Sequence, residues 1–125
     1  MSAVSFLSRR IAAMTLLLAA ALPALAGPPR VESVRTIQTP KGWKFEVTIS
    51  HADEGWNHYA DAWRVLDMDG NVLGTRELLH PHMEEQPLTR SLSGVPIPEG
   101  ADRVQIQTRD SKSGWNPKTT IHKLR

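Results

Sequence analysis

Trp43, Phe45, Val47 and Ile49 alternate with Lys44, Glu46, Thr48 and Ser50, so this stretch has one apolar and one polar face. A repeat of two is what a β-strand produces, because successive side chains point to opposite sides of a sheet. Val104 and Ile106 repeat the pattern between Arg103, Gln105 and Gln107. Runs at 31–38, 63–66, 72–79, 88–92 and 118–124 also read as short strands, bounded by turn formers such as Thr39-Pro40-Lys41-Gly42 and Pro96-Ile97-Pro98-Glu99-Gly100. Asp69-Gly70 lies between the third and fourth runs and predicts a hairpin. No segment after residue 26 sustains a helical repeat. Seven short strands predict an all-β fold, a single antiparallel β-sandwich, with Phe45, Val47, Ile49, Val104 and Ile106 facing its core. Trp43 and Trp63 fall on strand faces and are further core candidates.

The first 26 residues follow a different pattern. Arg9 and Arg10 precede an apolar run at 11–22, Pro23 breaks it, and Ala24-Leu25-Ala26 supplies the small residues that a signal peptidase reads. The run is shorter than the roughly 20 residues that a membrane-spanning helix needs. The expectation is a signal peptide over 1–26, cleaved after Ala26, and one domain over 27–125. Such a protein is periplasmic or secreted, with no membrane insertion after the signal is removed.

Cleavage changes the charge argument. Taking Arg9 and Arg10 from the 15 basic residues leaves 13 against 13 acidic ones, so the mature domain is neutral despite a whole-chain pI of about 9.3. Nucleic-acid binding calls for a cationic excess on one face, which is missing here, so no nucleic acid is expected. The chain has no cysteine. It therefore has no disulfide, no lipid-modified cysteine and no zinc–thiolate site, and its stability must come from packing.

The order and spacing of the strands are similar to the immunoglobulin and fibronectin type III arrangement, most clearly from Val95-Pro96-Ile97-Pro98-Glu99-Gly100 into Arg103-Val104-Gln105-Ile106. The cysteine pair and corner tyrosine of true immunoglobulin domains are absent. The chain also resembles small uncharacterised exported bacterial proteins with a His-Pro-His segment, here His80-Pro81-His82, a family that implies no function. The immunoglobulin-like resemblance implies that alternate connections share a pole. Residues 51–61, 80–87 and 110–117 then meet at one end, bringing together four of the five histidines and two of the four tryptophans.

Loops held by a rigid scaffold are where function concentrates, so the site is expected at this pole. In an extended segment His80 and His82 point the same way, about 6.5 Å apart along the chain. Two imidazoles so placed can converge on one ion, with His51 and His58 from the neighbouring loop, or Glu84 or Met83, completing the set. Nitrogen-rich ligation of this kind suits copper or zinc. The alternative is that these histidines are polar loop residues bonded to nearby carbonyls. Gly55-Trp56-Asn57 and Gly114-Trp115-Asn116 form a second constellation. Trp56 and Trp115, with Asn57, Asn116 and Asp53, can hold a protein or carbohydrate partner by stacking and hydrogen bonding, or the indoles can fold back as caps.

Other patterns fail on spacing. Asp67-Met68-Asp69-Gly70-Asn71 begins like a calcium loop, but Val72 stands at the required glycine and Leu78 at the bidentate glutamate. Glu84 and Glu85 are adjacent and point to opposite sides of an extended chain, so they cannot flank one bond. Ser91 and Ser93 lack the context of an activated nucleophile. The expectation is a binding protein and not an enzyme, with metal handling as the first reading and partner recognition as the second.

Overall fold

The structure is a computed structural model that describes residues 27–125; the signal-peptide reading and its cleavage point fall on residues 1–26, outside the described residues. The fold is all-β. In chain order the strands are β1 (Arg30–Thr39), β2 (Gly42–Ser50), β3 (Ala60–Leu66), β4 (Val72–Glu77), β5 (Leu88–Val95), β6 (Arg103–Asp110), β7 (Gly114–Trp115) and β8 (Thr120–Lys123). They form two antiparallel sheets, one ordered β1-β2-β5 and the other β4-β3-β6-β7, with β8 also paired to β6. Among the described residues there is no helix long and apolar enough to cross a membrane.

Both sheets contribute to one apolar core. Phe45, Val47 and Ile49 from β2 and Val104 and Ile106 from β6 are at most 1% exposed, as the alternation predicts. Trp43, Trp63, Val65, Leu88 and Val95 complete the same cluster from their own strands. Each fully buried side chain of this size contributes about 1.5–3 kcal/mol relative to exposure, so the rows of both sheets together drive folding.

Two turns show how sequence fixes the connections. Gly42 joins β1 to β2 at φ 116°, and a Cβ there would meet the Val95 carbonyl oxygen at 2.9 Å, so a side chain is excluded by conformation and by space. At the β3–β4 hairpin the Asp67 carboxylate accepts the backbone N–H groups of Asp69 and Asn71, and Gly70 takes φ 89°. The carboxylate is thus occupied by its own turn, as expected for a hairpin and not a calcium loop.

Eight strands are present where the alternation predicts seven. The additional one is β7, a two-residue pairing of Gly114 and Trp115 with Asp110 and Arg109, too short to leave a period of two. β4 ends at Glu77, short of the predicted residue 79. Beyond it the Leu78 N–H leaves the ladder for the Asp61 carbonyl at 2.9 Å, and its side chain enters the core at 4% exposure. β3 begins at Ala60 and β5 extends to Val95, both longer than their apolar runs, because ladder partners on β6 and β2 continue past them.

A candidate metal centre

The connections at 51–59, 78–87 and 111–113 meet at one end of the fold. Tyr59 and Ser111 exchange bonds, the Tyr59 N–H to Ser111 Oγ at 3.0 Å and the Ser111 N–H to the Tyr59 carbonyl at 2.8 Å. The His51 N–H donates to Gln86 Oε1 at 3.0 Å, and the His82 N–H donates to Asp53 Oδ2 at 2.8 Å. These bonds link all three connections directly.

The inward rows of β2 and β6 end at this pole in polar residues. Continuing Trp43, Phe45, Val47 and Ile49 by two places gives His51, which is 6% exposed. Continuing Val104, Ile106 and Thr108 by two gives Asp110, at 1%. His58, at 8%, comes in from the 51–59 connection two residues before β3. One ligand atom from each of His51, His58 and Asp110 lies within 4.8 Å of the others. The His51 and His58 rings stand 4.8 Å apart in an edge-to-face arrangement.

The protons on these rings follow from their partners. His51 Nδ1 lies 2.6 Å from Asp53 Oδ1, and His58 Nδ1 lies 3.2 Å from Glu54 Oε1. A carboxylate only accepts, so each Nδ1 carries a hydrogen, and a ring that holds only this one presents a bare lone pair at Nε2. Both Nε2 atoms are buried without a hydrogen-bond partner. His58 Nε2 is 3.4 Å from Asp110 Oδ1, which already accepts the Lys112 and Ser113 N–H groups at 2.9 and 2.7 Å. In that form the His58 lone pair faces a carboxylate oxygen in a buried space, an arrangement that costs free energy unless a proton or a metal ion enters it. Two imidazoles with Nδ1 held by carboxylates and Nε2 free is also how proteins prepare histidine ligands for a metal.

Asp53 organises the whole loop. Its side chain is fully enclosed, and Oδ1 accepts from His51 and from the Ala60 N–H at 3.0 Å, while Oδ2 accepts from His82. The sequence suggests Asp53 as a partner contact, but its carboxylate is enclosed and both oxygens accept bonds from the fold itself.

The other predicted residues lie elsewhere. His80 and His82 do come together, with ring centroids 4.4 Å apart, yet among the described residues they join no group of three ligands. Arg90 Nη2 lies 3.3 Å from His82 Nε2, so a guanidinium occupies that ring nitrogen. Burial first, and the nearby His80 and Arg90 next, push the His82 pKa below its ordinary value of 6.5. Met83 is 61% exposed and Glu84 is exposed beside it. Trp56 is 67% exposed, with its ring centroid 5.6 Å from that of Tyr59 in an edge-to-face arrangement, and Asn57 is exposed next to it. Trp115 is half-buried in β7 with the Arg64 guanidinium 3.8 Å over its ring. Asn116 is tied into backbone through Thr108, Gln107 and Lys118.

Asp110 is the residue that the sequence reading passes over, because it falls where a strand ends and a polar loop begins. The available signal is its place in the period-two row through Val104, Ile106 and Thr108, which makes it an inward-facing carboxylate.

No known protein family matches the chain, and no solved structure matches it. A protein of Halomicrobium mukohataei named "Putative lipoprotein" is 38% identical over 78 residues, which is 62% of this chain and 38% of that protein. The chain thus spans well under half of that relative's length.

Proposed function

We propose that this chain is an exported metal-binding protein with an immunoglobulin-like β-sandwich fold, and that His51, His58 and Asp110 hold the ion. The observation that carries this reading is the pair of buried, unpartnered Nε2 atoms beside Asp110, with both Nδ1 atoms fixed by carboxylates. Two imidazoles and one carboxylate suit copper(II) or zinc, with copper favoured by the general affinity order. The three donors are almost wholly buried, which leaves little approach for a substrate and supports a binding role over catalysis. Export is supported by the leader-like residues 1–26 and by the name of the Halomicrobium relative. The three-plus-five division of antiparallel strands around one core supports the sandwich.

Calorimetric titration with zinc and with copper(II) tests the reading. Wild type should bind one equivalent of each, copper more tightly, and His51→Ala/His58→Ala should bind neither. Dissociation constants weaker than about 100 μM, a binding free energy of only about 5.5 kcal/mol, would refute it. A second reading, capture of a protein or carbohydrate partner, is favoured by one feature, the large exposed surface of Trp56 beside Tyr59.

A further inference from the structure

β4 and β5 are outer strands of their respective sheets, and a cleft of about 450 Å³ opens between them. Arg76 on β4 pairs directly with Trp63, and Arg90 and Leu92 on β5 pair with Val47 and Phe45. Directly opposed residues share a face of a sheet. Since Trp63, Val47 and Phe45 are all core residues, both arginines occupy inward-facing positions at the rim of the core. His80 and His82 from the following connection line the same cleft.

Two of the residues that line the cleft each hold a buried polar atom without a partner, Arg76 Nε and His82 Nδ1. Both are donors. Arginine is always protonated, and Arg90 has only hydrogens to give to His82 Nε2, so the neutral His82 ring carries its own hydrogen on Nδ1. Arg90 is matched by Glu85, whose carboxylate accepts from Nη1 and Nη2 at 3.2 Å each. Arg76 has no such match among the described residues. Its neighbour Glu77 points to the opposite face of β4. The cleft therefore combines an unmatched guanidinium with apolar wall from Leu92 and from Leu79, which is 73% exposed.

We propose that this cleft binds a small organic carboxylate with an apolar body. The carboxylate pairs with the Arg76 guanidinium, and the body covers Leu79 and Leu92. The volume falls within the range of small-molecule sites, and the balance of few placed donors on an apolar wall is typical of them. The site shares no ligand with the metal centre, although the His82 N–H donates to Asp53, which also holds His51.

The test titrates the full chain with hexanoate, acetate and inorganic phosphate by calorimetry at pH 7, while the Arg76 Nε–H cross-peak is followed by nitrogen–proton NMR. Hexanoate should bind at one equivalent, at least about tenfold more tightly than acetate or phosphate, and should shift the Arg76 cross-peak. Arg76→Gln should weaken it about tenfold or more, the loss expected for a hydrogen bond to a charged group, whereas Arg35→Gln on exposed β1 should not. Hexanoate binding that leaves the Arg76 cross-peak unmoved in wild type overturns the proposal without relying on any variant. So does equal affinity for phosphate. No binding at 10 mM hexanoate, with Arg76→Gln instead promoting aggregation, would identify Arg76 as an inward charge that guards a sheet edge.

Discussion

His51 and Asp53 are bonded side chain to side chain at 2.6 Å with both groups enclosed, although only Ala52 separates them. The backbone makes this possible by turning at once, with the Asp53 N–H donating to the His51 carbonyl at 2.9 Å. The same carboxylate reaches forward to Ala60 at the start of β3 and across to His82 in another connection. One acidic side chain thus fixes the tautomer of a candidate ligand and pins two loops together.

Asp53→Ala should therefore damage stability and binding together. Losing three buried bonds to a carboxylate should cost about 3 kcal/mol or more in denaturant unfolding. Loss of the carboxylate behind His51 should also weaken zinc about 10- to 100-fold. A stability change under about 1 kcal/mol would show that the clasp is not formed.

Core packing gives a second expectation. Ile106→Ala should cost about 2–5 kcal/mol, since the residue is 1% exposed and surrounded by both sheets. Ile121→Ala, at 54% exposure on β8, should cost far less. Equal costs in urea unfolding would mean that β6 does not face the core as described.

The two loop tryptophans should separate. Trp56→Ala should leave stability within about 0.5 kcal/mol of wild type, because the indole covers little. Trp115→Ala should lower it by about 1–3 kcal/mol, because it uncovers Arg64 and weakens β7. Thermal unfolding of both variants checks this, and a larger loss at Trp56 would show that its ring packs on the fold.

Stability of the metal-free protein should fall as pH drops below 6.5. Burial lowers the pKa of His82 and of His122 from that value, so between it and their folded values the unfolded chain binds protons that the folded chain does not. The slope of unfolding free energy against pH is then positive in this window. Replacing both with Gln should flatten the slope measured in chelator, and an unchanged slope would contradict the assignment. Asp67 and Glu85, whose pKa values are lowered mainly by hydrogen bonds from Asn71 and Arg90, act only at more acidic pH.

Much of the fold is legible in Trp43 to Ile49 and Val104 to Ile106, because a buried sheet face writes its period directly into the sequence. β7 is not legible, since two residues carry no period and the pairing depends on the turn at Ser111, Lys112 and Ser113 returning the chain to Arg109 and Asp110. The site is only half legible. His51 and His58 stand out as histidines in a loop, but their convergence on Asp110 depends on the two sheets meeting. His80 and His82 have the right spacing for a ligand pair, yet Arg90 reaches them from the next strand and takes the lone pair on His82. Spacing along one segment carries no information about a charge delivered by another.

Metal binding should be coupled to folding. At a hundredfold excess over its dissociation constant, zinc should add about 2.7 kcal/mol to wild type. The gain should vanish in His51→Ala/His58→Ala, shrink in Asp110→Asn, and persist in His80→Ala/His82→Ala. It should fade as pH falls, because protons compete for the same Nε2 atoms. Equal gains in all variants would place the ion elsewhere.

Zinc-edge X-ray absorption on the full chain loaded with one equivalent tests the central claim most directly. The account predicts two imidazole nitrogens at about 2.0–2.1 Å with oxygen completing the shell, and loss of both nitrogens in His51→Ala/His58→Ala. An oxygen-only shell in wild type, or imidazole ligation that survives the double substitution, would contradict it.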